Sequence, residues 1–105
     1  MAIYNVTDAT LKNELQSEGL TIVNFWASWC SDCLIFSPIL EAYDAEANNE
    51  AKILKANLDD NVQSAAFFDI MSIPATIIFK DGEAVDKEFG VMSVERLKQF
   101  IARDR

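Results

Sequence analysis

The sequence predicts an α/β protein, a three-layer α/β/α sandwich with a central mixed sheet that an antiparallel hairpin closes. Short apolar, β-branched segments alternate with segments of helical period, which is the pattern of strands joined by helices. Two cysteines separated by two residues follow one of these strands, and an Asp-Gly pair separates the last two strand-like runs. The chain has 105 residues, of which 50% are hydrophobic, and this suits one domain over residues 1–105 with a core of its own.

The first half of the chain is predicted to fold as strand, helix, strand, helix. The predicted ranges, in that order, are 3–6, 7–18, 20–26 and 30–48. Thr7 is a candidate cap for the first helix, and Gly19 is expected to stop it. The second strand is apolar and β-branched enough to lie inside a sheet. Pro38 removes a backbone donor from the second helix and is expected to kink it, and Asn48 and Asn49 are expected to end it.

The second half is predicted to hold three strands and two helices. The predicted ranges are 52–58 for a strand, 62–69 for a helix, 75–80 and 84–89 for two strands, and a final helix after residue 93. Asp59 and Asp60 are interpreted as turn and cap residues, because the spaced ligands and distal glutamate of a calcium loop are missing. Asp81 and Gly82 predict a tight hairpin, and Ser93 is a candidate helix cap. We expect parallel strands with right-handed crossovers until that hairpin, although periodicity does not give their order in the sheet.

The charge of the chain disfavours several classes of partner. Nine basic and 17 acidic residues leave a net charge of −8, which disfavours nucleic acid and anionic membranes. A single domain of this charge is most simply a monomer. No segment approaches the length of a membrane span, and the amino terminus has neither the basic region nor the long apolar region of a signal peptide, so we expect a cytoplasmic protein.

The pair Cys30 and Cys33 is the strongest functional feature of the chain. The start of a helix leaves N–H groups unpaired and carries the positive end of the helix dipole, so a thiolate at Cys30 is favoured there. Cys33 lies within one helical turn, so Cys30 can attack a substrate disulfide and Cys33 can resolve the mixed disulfide. A structural disulfide over so short a loop would restrain the unfolded chain little. A zinc site needs about four ligands, whereas the chain has two cysteines and no histidine, so redox chemistry is favoured over both alternatives.

Four separate segments, in the same order along the chain, resemble the thioredoxin family over nearly the whole length. They are Phe25, Trp26, Ala27, Trp29, Cys30 and Cys33 with the following Pro38; Ile73 and Pro74; residues 79–83; and Gly90. The resemblance implies the thioredoxin fold, with Pro74 in the cis state facing the cysteines and the backbone around Ile73 holding a substrate strand. It also implies that Trp29 lines the substrate surface and that Gly90 lies beside it, whereas Trp26 is interpreted as a packing residue.

The two residues between the cysteines depart from the family pattern. The usual family loop has Gly-Pro where this chain has Ser31 and Asp32. An acidic side chain beside Cys30 is expected to oppose thiolate formation and to favour the disulfide, which would make the couple more reducing. Because a solvent-exposed carboxylate is screened, we expect a modest effect.

A second departure is Asn24, at a position where the family usually has a buried aspartate behind the disulfide. In the family that carboxylate assists proton transfer with the resolving cysteine, and Lys55 matches the lysine that accompanies it. An amide cannot accept a proton, so we expect slower resolution of mixed disulfides than is typical of the family, with assistance to Cys33 from water, from Asp32 or from no group at all. Loss of a buried carboxylate also favours the Cys30 thiolate, so the net sign of the shift in potential stays open.

The predicted function is that of a thiol-disulfide oxidoreductase that reduces protein disulfides, with Cys30 as nucleophile and Cys33 as resolving thiol. No bound cofactor is expected, because the electrons reside on the two sulfurs, and NADPH would supply them through a separate enzyme resembling thioredoxin reductase. Two alternatives stay open. The chain could be a dedicated redox partner of one enzyme or of one low-molecular-weight thiol system. It could also be a protein-binding module with weak redox activity, although the retention of both cysteines disfavours this second alternative.

Overall fold

The structure, a computed structural model, describes residues 3–15, 18–46 and 51–104. The strands are β1 (Ile3–Val6), β2 (Leu20–Trp26), β3 (Ala51–Asn57), β4 (Ala75–Lys80) and β5 (Glu83–Phe89). The helices are α1 (Asp8–Leu15), α2 (Ser31–Glu46), α3 (Val62–Phe67) and α4 (Val94–Ala102), and a short 3₁₀ turn covers Leu58–Asp60.

The predicted elements are all present, and their differences in length have local causes. The strand predicted over 52–58 ends at Asn57, because the Asn57 side chain accepts a hydrogen bond from the Asp59 N–H and starts the 3₁₀ turn. Helix α3 ends at Phe67 rather than 69, since Asp69 adopts a left-handed φ of 53° and the Ile70 N–H bonds back to the Ala65 carbonyl. The predicted ends of the first two helices fall partly on residues 16–17 and 47–49, outside the described residues.

Two of the predicted caps are built in different ways. At α4 the Ser93 hydroxyl accepts a hydrogen bond from the Arg96 N–H at 3.1 Å, which confirms Ser93 as the cap. At α1 the Thr7 carbonyl, rather than its hydroxyl, accepts from the Thr10 and Leu11 N–H groups, while the Thr10 hydroxyl accepts from the Thr7 N–H. Pro38 lies inside α2, as predicted.

The sheet is mixed, with the strand order β1-β3-β2-β4-β5. Strands β1, β3 and β2 are parallel, as expected before the hairpin. The expectation that the strands stay parallel until the hairpin is wrong for β4. The connection from β3 to β4 reverses the chain direction, so β4 pairs antiparallel with β2 as well as with β5. Strand β2 therefore lies at the centre, with a parallel neighbour on one side and an antiparallel neighbour on the other.

Alternate residues of the three central strands build two separate cores, one on each face of the sheet. The core that contains Ile22, Ile53 and Ile78 packs against α2 and α4, whereas the core that contains Val23 and Leu54 packs against α1 and α3. The central strands thus bury apolar side chains on both faces, which confirms the three-layer sandwich.

The hairpin between β4 and β5 is the two-residue turn that the Asp-Gly pair predicts. Asp81 and Gly82 have φ values of 52° and 89°, the left-handed pair that matches the twist of adjoining antiparallel strands. The turn is also fastened to the start of β2. The Gly19 N–H donates to Asp81 Oδ1 at 2.7 Å, and the Asp81 N–H donates to the Gly19 carbonyl at 2.9 Å.

At the end of the sheet opposite the hairpin turn, a buried amide joins the carboxyl ends of two parallel strands. Asn61 is fully buried, and its Nδ2 donates to the Val6 carbonyl and to the Asn57 carbonyl, each at 2.9 Å. These carbonyls lie at the ends of β1 and β3, beside the end of β2 that leads to the cysteines. A side chain with two donors therefore holds together the ends of β1 and β3, next to the strand end that carries the predicted site.

Replacing Asn61 by aspartate tests this role. A carboxylate has nearly the same shape but cannot donate, so both carbonyls would lose their donor and face a buried negative charge. We expect Asn61→Asp to lower the free energy of unfolding by about 3 kcal/mol at pH 7, measured by urea denaturation.

Asn57→Asp is the matched control. The Asn57 side chain acts as an acceptor for the Asp59 N–H at 3.0 Å, and a carboxylate also accepts. Its free energy of unfolding should therefore change by about 0.5 kcal/mol or less. Equal losses in the two variants would contradict the donor role of Asn61.

Candidate active site

The cysteine pair lies in the turn that joins the central strand β2 to α2. The Cys30 N–H donates to the Ala27 carbonyl at 3.2 Å, which closes the turn, and the Leu34 N–H donates to the Cys30 carbonyl at 3.2 Å, which begins the helix. Cys30 is thus the residue that precedes the first helical position. Its Sγ accepts a hydrogen bond from the Cys33 N–H at 3.2 Å, as a capping side chain does. A negative charge on this sulfur would meet the unpaired N–H groups and the positive end of the helix dipole.

The two thiols have different environments. Both are free, but the Cys33 side chain is buried, with 2% of its surface exposed, whereas Cys30 is partly exposed. Burial, followed by the hydrogen bond with Cys30, raises the pKa of the Cys33 thiol from 9.0 to about 12. A hydrogen bond with the Ala27 backbone acts in the opposite direction without reversing the shift. Cys33 is therefore held as a protonated thiol at neutral pH, while Cys30 is the sulfur that solvent reaches.

The loop before β4 forms the other side of the site. Cys30 Sγ lies 3.9 Å from the Ile73 carbonyl, and the Ile73-Pro74 peptide bond is cis, as the resemblance implied. The Gly90 N–H donates to the Pro74 carbonyl at 2.8 Å, which fixes this loop to the end of β5. Gly90 has a φ of 97°, a conformation that other residues rarely adopt, and this accounts for a glycine here.

Exposed apolar side chains adjoin each part of this site. Trp29, next to Cys30, is 70% exposed, which fits the surface position expected for it. Met71 and Val91 are also exposed, and each is a near neighbour in the chain of Ile73 or Gly90. Neither residue was predicted from the sequence, although an apolar residue near each expected binding residue was a usable signal.

Asn24 and Lys55 lie opposite each other on neighbouring strands, on the sheet face that α2 covers. Asn24 is buried, and its Nδ2 donates to the Ala75 carbonyl over a long 3.4 Å. Because position 24 holds an amide, it offers no carboxylate to Lys55. The Lys55 Nζ instead donates to Ser37 Oγ at 2.9 Å. The Lys55 ammonium also lies 4.6 Å from the centre of the Trp26 ring, so Trp26 contributes to packing and to charge stabilisation.

Ser37 is the contact that sequence reasoning did not find. It is four residues after Cys33, and this helical spacing places both side chains on one face of α2. Burial lowers the pKa of Lys55, while the charges of Glu41 and of an ionised Cys33 raise it. Lys55 is thus a half-buried cation that responds electrostatically to the charge state of Cys33.

Ser31 and Asp32 are both exposed in the first turn of α2. The charge of Asp32 adds to the effects that raise the pKa of Cys33. The charge of Asp32 therefore opposes ionisation of the Cys33 thiol, and the assistance of Asp32 to proton loss from Cys33 stays a prediction.

Residues 3–15, 18–46 and 51–104 contain neither a cluster of metal ligands nor a membrane-spanning helix. In these ranges no three His, Cys, Asp or Glu side chains are grouped so that they could hold a metal ion. Among the helices described, none is both long and apolar enough to cross a membrane.

Comparison with known proteins gives matches over almost the whole chain. Residues 2–103 match the family model described as Thioredoxin. A curated protein named thioredoxin from Staphylococcus saprophyticus subsp. saprophyticus is 44% identical over 103 residues, which cover 98% of each chain. Those from Staphylococcus haemolyticus and Staphylococcus aureus (strain Mu50) are 44% and 43% identical over 101 residues, which cover 96% of each chain.

The contrast between the two thiols predicts selective alkylation. At pH 8 a thiol with a pKa near 12, rather than 9.0, has roughly 1,000-fold less thiolate, and Cys33 is buried as well. We expect limiting iodoacetamide to modify Cys30 at least about 100-fold faster than Cys33, as measured by peptide mass spectrometry.

Protein unfolded in urea provides the control, because there both cysteines should react at similar rates. Comparable labelling of the two positions in the folded protein would contradict the burial of Cys33.

Proposed function

The chain belongs to the thioredoxin family, and from that premise we propose that it reduces protein disulfides, with Cys30 as nucleophile and Cys33 as resolving thiol. Family membership and the cysteine pair support a thiol-disulfide oxidoreductase. The observation that carries the finer proposal is the unequal placement of the pair. Cys30 Sγ is accessible at the helix start, and the Cys33 N–H bonded to it keeps the second, buried cysteine adjacent.

The proposed reaction has two steps. The Cys30 thiolate attacks one sulfur of the substrate disulfide, a mixed disulfide forms, and the other substrate sulfur leaves as a thiolate that takes a proton from water. Cys33 then loses its proton and attacks Cys30 Sγ. The Cys30–Cys33 bond forms, the mixed disulfide breaks, and the second substrate sulfur leaves and is protonated, so two electrons pass to the substrate.

The substrate segment is proposed to lie against the loop that faces the cysteines. The Ile73 carbonyl is close to Cys30 Sγ, and Pro74 and Gly90 hold this loop in place through their backbone hydrogen bond. Trp29, next to Cys30 in the chain, offers a largely exposed apolar surface. Backbone pairing with an extended peptide would depend little on the substrate sequence, as a general reductase requires.

The oxidised protein must be recharged by another enzyme. We propose a reductase resembling thioredoxin reductase, with NADPH as the electron source and no cofactor bound to this chain. The cytoplasm, where thiols are kept reduced, is the compartment that suits this cycle. With a net charge of −8, the chain is proposed to act as a monomer on protein disulfides and not on nucleic acid or membranes.

Turnover of insulin disulfides with dithiothreitol as recycling reductant tests the proposed function. We expect the native chain to accelerate insulin precipitation, and Cys30→Ser to abolish the acceleration because no nucleophile remains. Cys33→Ser should accumulate a covalent adduct through Cys30, which non-reducing electrophoresis detects, because its mixed disulfide is not resolved.

Other outcomes favour the alternatives. Poor insulin turnover with rapid reduction of one partner enzyme would indicate a dedicated redox protein. Partner binding that survives replacement of both cysteines, without turnover, would indicate a docking module.

The amide at Asn24 predicts a slow second step. Asn24→Asp places a proton acceptor on the sheet face below α2, opposite Lys55, and we expect the mixed disulfide to resolve about tenfold faster near pH 7. The measurement is stopped-flow release of thionitrobenzoate from Ellman's reagent, in which the first equivalent reports attack by Cys30 and the second reports resolution by Cys33.

The first phase serves as an internal control, because Asn24→Asp is expected to act on the second. Circular dichroism establishes that the variant is folded, since a buried carboxylate carries a desolvation cost. A second phase with the native rate in a folded variant would refute the expected role of this position.

A further inference from the structure

Resolution requires Cys33 to lose its proton although the site contains few groups that favour this loss. Burial disfavours the Cys33 thiolate, the amide of Asn24 cannot accept a proton, and the charge of Asp32 repels a second negative charge. The chain contains no histidine. The thiolate therefore needs a nearby positive charge, and Lys55 is the half-buried cation that interacts with Cys33.

A lysine side chain is flexible, so its effect depends on what holds its ammonium in place. Ser37 Oγ accepts a hydrogen bond from Lys55 Nζ at 2.9 Å. Ser37 lies on the same face of α2 as Cys33, one turn further along. The Trp26 ring, 4.6 Å from the ammonium, bounds it on another side. The lysine is thus held between its own strand and the helix that carries the resolving thiol.

We infer that Ser37 is a positioning residue for resolution of the mixed disulfide, because its hydroxyl holds the Lys55 ammonium where it stabilises the Cys33 thiolate. This inference rests on the proposed function. Ser37 does not touch the reacting sulfurs in this role and acts through Lys55. Asn24 offers the lysine no carboxylate, and the Ser37 hydroxyl is its hydrogen-bond partner instead.

The step balances without a protein base. Cys33 gives its proton to water, its thiolate forms the bond to Cys30 Sγ, and the substrate sulfur leaves with the electron pair of the broken mixed disulfide and is protonated by water. Water has access to the lysine, because a cavity of about 330 Å³ is lined by Lys55, Trp26 and Asp60. Among the described residues, Glu41 acts electrostatically on Lys55, and Asp32 and an ionised Cys30 act on Cys33.

The test is the second phase of thionitrobenzoate release, followed from pH 6 to pH 9 in Ser37→Ala, Ser37→Thr and Lys55→Met. Below the pKa of Cys33 the rate follows the thiolate fraction, so a tenfold loss equals a displacement of the profile by about one pH unit. We expect Ser37→Ala to slow this phase about three- to tenfold and to leave the first phase unchanged. Ser37→Thr retains a hydroxyl and should restore most of the rate.

A double variant separates positioning from simple packing. If Ser37 acts through Lys55, the Ser37→Ala/Lys55→Met protein should be no slower than Lys55→Met alone. Lys52→Met is the matched control. Lys52 is a half-buried lysine on the same strand, but it pairs with Glu14, so its loss should not change either phase.

The inference is overturned if Ser37→Ala has the native pH profile for the second phase, or if its loss adds fully to that of Lys55→Met. A native protein that releases one equivalent and no second would instead contradict the resolving role of Cys33, and with it the proposed function. The two failures are therefore distinguishable in the same trace.

Discussion

The burial of strand β2 on both faces and along both edges is the constraint from which the site follows. A strand in this position is largely apolar, and its register is fixed by a parallel neighbour on one side and an antiparallel neighbour on the other. Asn24 is the polar exception on the face below α2. The end of this strand has little freedom to move, so the turn from Ala27 to Cys30 begins from a fixed point.

One helical turn gives two chemically different sulfurs. Cys30 occupies the capping position, where an anion is stabilised by N–H groups, and Cys33 points into the protein from the first turn of the same helix. The difference arises from placement rather than from residue type. In the reaction that we propose, the second step is the difficult one, because the buried thiol must ionise there, and this is why the surroundings of Lys55 bear on the proposed chemistry.

Most of the fold could be predicted, because hydrophobic periodicity and turn residues report local structure directly. The direction of β4 relative to β2 could not, since an apolar strand has the same pattern in either direction. Helix α3 ends early because Asp69 adopts a left-handed conformation, which the residue type alone does not predict. The cysteines were identified from their spacing, whereas the contact between Ser37 and Lys55 joins residues 18 positions apart and depends on how α2 lies on the sheet.

Strand β4 is held at both of its ends, and this gives it the character of a spacer of fixed length. At one end Asp81 is fastened to Gly19, and at the other Ile73 lies beside Cys30. A slip of one residue against β2 would move that carbonyl by about 3.3 Å and turn every side chain of the strand to the opposite face. The position of the Ile73 carbonyl beside Cys30 therefore depends partly on the hairpin turn at the opposite end of β4, which takes no part in the chemistry.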